Sequence, residues 1–348
     1  MKRLLFAAAL LVVLPLTALG QASDRDAILG ADGTLFTIES APSYDYPNVK
    51  ADSSRLLALT VQKQGGSPKT VFVPESLQSG SNSTPTLAYD SESDTLFVFW
   101  ERGLNNNHTS ELLLTSYQNG KFNQASTIES ADFHWCHNLR VGVTRKVQVE
   151  ADGQKTMVPG LTVHATWWDY NPHGEVARYA MLPIEKGAVD VGNIIKQDIS
   201  NFFNSREMMP TGSVDPQLDE EVLRHPQLFE SANHETVDIV FGDIPSAVLR
   251  RVTVRVGVNG GRLRVPLGVR GGSIGAPRLK SDANSRISGI STPGSDKMVL
   301  YATDDTAVRY VTYSSSGWSA VRTITLNDKV TAASAVEVIR RMVWDADE

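Results

Sequence analysis

A phrase that repeats along the chain is the strongest constraint on what it can fold into. Arg55-Leu-Leu-Ala-Leu-Thr-Val-Gln-Lys-Gln-Gly, running on to Val71-Phe-Val-Pro-Glu-Ser76, aligns with Glu111-Leu-Leu-Leu-Thr-Ser-Tyr-Gln-Asn-Gly-Lys-Phe and its continuation to Ser130. Both read as a strand, a Gly-bearing turn and a second strand. The phrase returns at Arg309–Ile324, and more loosely at Val252–Val269 and Ala177–Ile195. Its turn glycines, Gly66, Gly120, Gly187, Gly261 and Gly317, are spaced by 54, 67, 74 and 56 residues. Glycine suits them because tight hairpin turns need positive φ. Self-similarity at this period marks a repeat architecture.

A second phrase precedes most of the hairpins. Pro85-Thr-Leu-Ala-Tyr leads into Thr95-Leu-Phe-Val-Phe-Trp-Glu-Arg102, Pro226-Gln-Leu-Phe into Val237–Asp243, and Pro277-Arg-Leu-Lys into Met298–Asp304. Asn138-Leu-Arg-Val leads, after a longer excursion, into Leu161–Asp169. A full unit therefore reads as four strands in about fifty residues, the size of one propeller blade. In Leu96-Phe-Val-Phe-Trp100 both alternating faces are apolar. Such a strand is covered on both sides, as a blade between two others must be.

These observations predict an all-β fold: a single β-propeller of five blades, with six as the alternative. The first unit shows three strands from Thr34 onward. Ala335–Ile339 or Arg341–Trp344 is then expected to supply the fourth, closing the ring by pairing the chain's two ends and removing exposed edges. Two insertions break the repeat. Residues 145–159 read as a polar hairpin extension and residues 196–224 as a longer excursion. The latter includes the best helix signal, Asp215-Pro216 running to about Arg224.

The hairpins Ser116-Tyr-Gln-Asn-Gly-Lys-Phe122 and Ser314-Ser-Ser-Gly-Trp318 resemble degenerate Asp-box turns. In that turn a serine and an aspartate precede a glycine and an aromatic follows. The chain thereby resembles the sialidase-like group of bacterial secreted propellers over roughly residues 34–344. That resemblance implies the fold. The aspartate is missing from both turns, and the group's arginine triad and tyrosine–glutamate pair have no assignable counterpart.

The address is read from the first twenty residues. Lys2 and Arg3 precede an apolar run from Leu4 to about Leu14, and Ala18 and Gly20 are placed for cleavage. This is the layout of a signal peptide, since the apolar core is too short to span a bilayer. The expected mature chain, residues 21–348, is a secreted or periplasmic domain without membrane insertion. Its formal charge falls from −6 to −8, with 31 basic against 39 acidic residues once Lys2 and Arg3 are gone. A mildly acidic chain offers no footprint for nucleic acid. Cys136 is the only cysteine, so no internal disulfide forms, and it reads as a small buried hydrophobe.

Chemistry is expected where acids end the second strand of each unit: Glu101, Asp169, Asp243 and Asp304-Asp305, with Asp345 after Trp344. If the units are equivalent, these carboxylates lie at one level on one face. Glu101, Asp169 and Asp243 are then candidate catalytic groups for glycoside hydrolysis, which needs two carboxylates at a suitable separation. Trp100, Arg102, Trp168, Tyr170 and Asp304 are candidate ligand contacts. The competing reading has each acid binding backbone N–H groups in the turn that follows. His134, His137, His164 and His173 match no zinc spacing, so no metal or other cofactor is expected. The leading reading is a non-catalytic propeller that binds a glycan or a protein partner at the cell envelope. The alternatives are a glycoside-processing enzyme and a structural or assembly protein.

Overall fold

The computed structural model describes residues 25–30, 32–104, 109–132, 135–171, 174–199, 226–243, 248–258, 264–275, 279, 287–291, 298–303, 306–314 and 317–325. Among these the chain is all-β, with only short 3-10 turns besides strands. The first module comprises β1 (Arg25–Leu29), β2 (Leu35–Pro42), β3 (Ser53–Gln62) and β4 (Lys69–Phe72), each antiparallel to the next. In the second, β5 (Gly80–Asp90), β6 (Thr95–Leu104) and β7 (Thr109–Gln118) are followed by β8 (Lys121–Phe122) and β9 (Ser126–Asp132), both paired to β7. The third repeats this with β10 (Trp135–Ala151), β11 (Gln154–Asn171), β12 (Gly174–Glu185), β13 (Ala188–Val189) and β14 (Ile195–Asp198). The fourth is β15 (Gln227–Glu230), β16 (Thr236–Asp243), β17 (Val248–Val258) and β18 (Arg264–Ile274). The fifth is β19 (Ile287–Ser291), β20 (Met298–Thr303), β21 (Ala307–Ser314), β22 (Gly317–Trp318) and β23 (Arg322–Thr325).

The repeated hairpin phrase has a repeated geometry. Asn123 N–H donates to Ser116 O, Asp190 N–H to Pro183 O and Ser319 N–H to Thr312 O, each at 2.8 Å. The aromatic pairs Tyr117–Phe122 and Tyr313–Trp318 sit across this turn with ring centroids 4.9 Å apart in both. In the second and third modules the turn is a two-residue loop with both φ positive, Asn119-Gly120 and Lys186-Gly187, the twist-matched form for hairpins. In the first module Gly65, not Gly66, carries the positive φ.

Strand periodicity explains how the modules stack. Along β6, Phe97 and Phe99 pack against Val143, Val163 and Trp167 of the third module. Leu96, Val98 and Trp100 pack against Ile38, Leu57 and Leu59 of the first. Both faces are buried because successive side chains point to opposite sides. A third cluster joins Tyr179 and Met181 to Ile239 and Val254. A fourth joins Phe229 and Val240 to Leu300 and Val311. A fifth unites Val299, Tyr301, Val308 and Tyr310 of the last module with Ala27 of the first, and Leu35 packs against it.

The first module is therefore not short of a strand. Arg25–Leu29 fills the place expected of the C-terminal stretch, with Ala27 and Ile28 pointing into different clusters. Its five residues carry two charges and hide the alternation. Residues 335–339 and 341–344 lie outside the described residues, as do the Asp215-Pro216 helix signal and the segment 1–20. Of the 196–224 excursion, residues 196–198 belong to β14. Residues 146–159 continue β10 and β11 as a hairpin through Asp152-Gly153, and Val147–Val149 pair in parallel with Val256–Val258 of the fourth module.

Neighbouring inner strands are tied by side chains rather than by a ladder. Asp26 accepts from Leu87 N–H at 2.8 Å, Glu230 from Val143 N–H at 2.9 Å, and Gln227 from Gly289 N–H at 2.7 Å. Each tie gives a backbone donor the partner it would otherwise lack. The strands approach closely enough to require glycine. A Cβ on Gly289 would lie 2.7 Å from Cζ of Phe229 and 3.1 Å from Cβ of Gln227. Gly289→Ala is expected to destabilise the fold by about 1–3 kcal/mol, since overpacking forces neighbours out of place. Urea denaturation checks this, and an unchanged midpoint would show that the fourth and fifth modules can move apart.

Candidate functional site

The expectation that the strand-end acids lie at one level is corrected by the strand register. Ser116, Pro183 and Thr312 are equivalent turn residues, and they pair with Phe97, Thr162 and Val299. Glu101 lies four positions beyond Phe97, a place held by Thr166 in the third module and Thr303 in the fifth. Asp169 lies seven positions beyond Thr162. An odd offset between them reverses the face each side chain takes on its sheet. Glu101 shares its side of β6 with Phe97 and Phe99, and Asp169 its side of β11 with Val163, Ala165 and Trp167. Both sides look into the same seam, between the second and third modules. Two acids that are not equivalent in the repeat thus converge.

Cys136 lies between them. Its N–H donates to Glu101 Oε1 at 3.1 Å, and in the β10–β11 register it stands opposite Asp169. Ser83 Oγ donates to Glu101 Oε2 at 3.3 Å, and the Ser110 hydroxyl also bonds this carboxylate. Asp169 is 1% exposed and Glu101 8%. Arg178 Nε reaches Asp169 at 3.3 Å and its Nη1 contacts Asp198. Burial, opposed by the donors and reinforced by the Asp169 charge, pushes the Glu101 carboxyl up to about 7. Removing a charge from water favours its neutral form. The same burial pushes the Cys136 thiol up, which keeps it protonated and makes it a poor nucleophile.

The other expected contacts are placed differently. Trp100 is fully buried and donates from Nε1 to Asn82 Oδ1 at 3.0 Å, so its ring faces are core. Trp168 is also buried. Arg102 pairs with Glu111 at 2.6 Å and reaches Glu75 O at 3.3 Å. Tyr170 pairs through its backbone with Trp135 and Glu175, and Asp243 closes β16 opposite Val248 in the fourth module, away from the Glu101 seam. Their side chains lie outside the described part, as do Asp304, Asp305, Asp345, His134 and His173. Among the described residues no group of three or more His, Cys, Asp or Glu is arranged to hold a metal.

Three partners went unread in the sequence. Ser83 and Ser110 reach Glu101 only because β5 and β7 flank β6. Arg178 reaches Asp169 because it stands opposite Trp167, one diagonal step away in the β11–β12 register. Neither relation has a motif, since each depends on register. Chemically, the seam holds a carboxyl that exchanges its proton near neutrality beside a second carboxylate fixed by a guanidinium.

No protein-family model matches this chain, and no curated protein does. Solved structures to which it is similar include a Hadza microbial sialidase, at 11% identity and TM-score 0.48 over 87% of this chain and 58% of that one. The Aleuria aurantia lectin, bound to Fucalpha1-6GlcNAc, is similar at 10% identity and TM-score 0.41, over 90% and 82%. The Bombyx mori GH32 beta-fructofuranosidase follows at 10% and 0.32, over 87% and 68%. This chain spans a little over half the sialidase's length. At these values the likeness assigns no activity.

Proposed function

We propose that the five modules are the blades of one closed β-propeller, exported after cleavage near Gly20, that binds a glycan at the cell envelope without catalysis. Ring closure is supported by the five apolar clusters. Four join consecutive modules and the fifth joins the last to the first through Ala27. Closure in this form comes from face packing between blades. The choice of a glycan rests on likeness to the sialidase-like group, whose turns the hairpins Ser116–Phe122 and Ser314–Trp318 resemble.

The observation that carries the non-catalytic reading is the engagement of Glu101. Both oxygens of the best-placed acid are bonded, one to the backbone of the next module and one to Ser83. Such a carboxyl braces a seam, whereas a general acid must reach the proton-accepting oxygen of its substrate. One observation favours glycoside hydrolysis as a second reading: Glu101 and Asp169 converge, and the Glu101 carboxyl is held near 7. Acid and base roles are separated by such shifts.

A single panel of oligosaccharides that includes sialosides separates the two readings, using exported protein whose N-terminus mass spectrometry places at Gln21. Binding without released product, unchanged in Glu101→Gln, is the expected result. Product formation that disappears in Glu101→Gln would make the protein a glycosidase. Absence of both would remove glycans and turn the search to envelope proteins.

A further inference from the structure

We propose that the seam between the second and third modules is a proton-controlled latch, closed while Glu101 bridges to Cys136 and loosened when Glu101 and Asp169 oppose each other as two carboxylates. The inference goes beyond the binding reading, because it holds whatever the ligand is. Four features of the seam carry it. The Glu101–Cys136 bond crosses from β6 to β10. Asp169 approaches the same point from β11. Both acids are almost wholly buried, so water does little to screen them. The comparable ties from Asp26, Glu230 and Gln227 take their N–H from Leu87, Val143 and Gly289, which stand opposite Val98, Val163 and Leu300, whereas Cys136 stands opposite Asp169.

The charged and titratable groups around the latch fall on each packed element. Cys136 comes from β10 and Asp169 from β11, while Glu129 of β9 acts on Cys136. Arg178 of β12 binds Asp169 and also contacts Asp198 of β14. From β5 and β7 come only the hydroxyls of Ser83 and Ser110. Arg102, next to Glu101 on β6, is paired with Glu111. The cation that binds Asp169 is thus shared with Asp198. Arg145 and Lys196 also cross this seam, to Asp90 and Glu92 and to Ile128 O, and no described cation contacts Glu101.

The direction follows from the folded carboxyl lying above its ordinary 4.5, at about 7. Its contribution to the seam is complete below 4.5 and is lost as the pH rises through 7. The seam is therefore tight in mild acid and loose in mild alkali.

Amide hydrogen exchange of the full chain at pH 6 and pH 8, corrected for the intrinsic exchange rate, reads this directly. Peptides covering residues 135–143 should lose protection by about tenfold at pH 8, while peptides covering 248–258 keep theirs. Glu101→Gln should hold the pH 6 protection at both values, and Asp169→Asn should reduce the loss by removing the opposing charge. An equal loss of protection in wild type and Glu101→Gln would overturn the latch. So would a wild-type seam indifferent to pH. Should Glu101→Gln fail to fold, Asp169→Asn decides the question alone: a loss as large as in wild type would again overturn the latch.

Discussion

Glutamine in place of His164 is expected to cost about 2 kcal/mol at pH 7, to cost nothing near pH 5 and to leave the variant the more stable protein by pH 4. His164 is fully buried between the third and fourth modules. Its Nε2 lies 2.8 Å from Thr144 Oγ1 and its Nδ1 2.7 Å from the Tyr179 hydroxyl. A neutral imidazole offers one donor and one acceptor, and a hydroxyl can take either role. The trio is therefore satisfied in either tautomer. A protonated ring would demand two acceptors and leave a charge among apolar side chains. Burial accordingly lowers the His164 pKa from 6.5 to about 3, and it pushes the Tyr179 hydroxyl up.

A depressed histidine pKa gives stability that is complete above 6.5 and is lost as the pH falls toward 3. Each pH unit in that window is worth about 1.4 kcal/mol, so the whole loss amounts to roughly 5 kcal/mol. Glu101 works in the opposite sense, losing stability as the pH rises from 4.5 through about 7. Between 4.5 and 6.5 the two slopes oppose each other, and below 4.5 the His164 slope stands alone. Wild type should then show a plateau followed by a steep acid limb, while Glu101→Gln shows the limb beginning near 6.5. Urea denaturation of wild type, His164→Gln and Glu101→Gln at half-unit pH intervals tests both claims. A wild-type advantage over His164→Gln that stays constant from pH 7 to pH 4 would mean that the ring charges inside the fold.

How much of this was legible from sequence depends on whether a residue's role is local. The all-β class was readable because β6 and β7 are short runs bounded by turn residues, with β6 apolar on both faces, and because Asn119-Gly120 is a hairpin signal by itself. The likeness of the hairpins Ser116–Phe122 and Ser314–Trp318 was readable for the same reason, since each is only a few residues long, but their alignment was not. Gly120 lies inside its two-residue loop and Gly317 follows one, so Ser314 stands with Gln118 and Thr312 with Ser116. Arg25–Leu29 was not, because a five-residue strand holding Arg25 and Asp26 shows alternation only once Leu87 N–H is known to need Asp26. The seam was half legible. Glu101 and Asp169 stood out as acids after tryptophans, and that likeness suggested equivalence. The three-position offset that turns them toward each other comes from register, which neighbouring residues do not encode. Trp100 and Trp168 show the same limit: an aromatic beside an acid reads as a ligand platform, yet alternation sends it to the opposite, buried face.

Arg145 is a role of the non-local kind, and its loss should rank with the largest single effects on stability. From the start of the β10 extension it reaches back to the β5–β6 turn. There Nε contacts Asp90, Nη1 bonds Glu92 at 2.9 Å and Nη2 bonds Ser91 at 2.8 Å. Its own N–H donates to His234 O at 2.8 Å, so one residue fastens turns from the second and fourth modules to a strand of the third. The Asp90 side chain is only 4% exposed. Arg145→Met keeps the stem and removes the guanidinium, leaving that carboxylate buried without its counter-charge. The expected destabilisation is about 3–5 kcal/mol. Adding Asp90→Asn should restore most of it, because the cost lies in the stranded charge and not in a missing attraction. Raising the salt should change the coupling little, since ions do not reach a buried pair. A double-mutant cycle in urea at low and high salt measures this. Additive losses, or a coupling that salt abolishes, would show that the modules are held by their apolar seams alone.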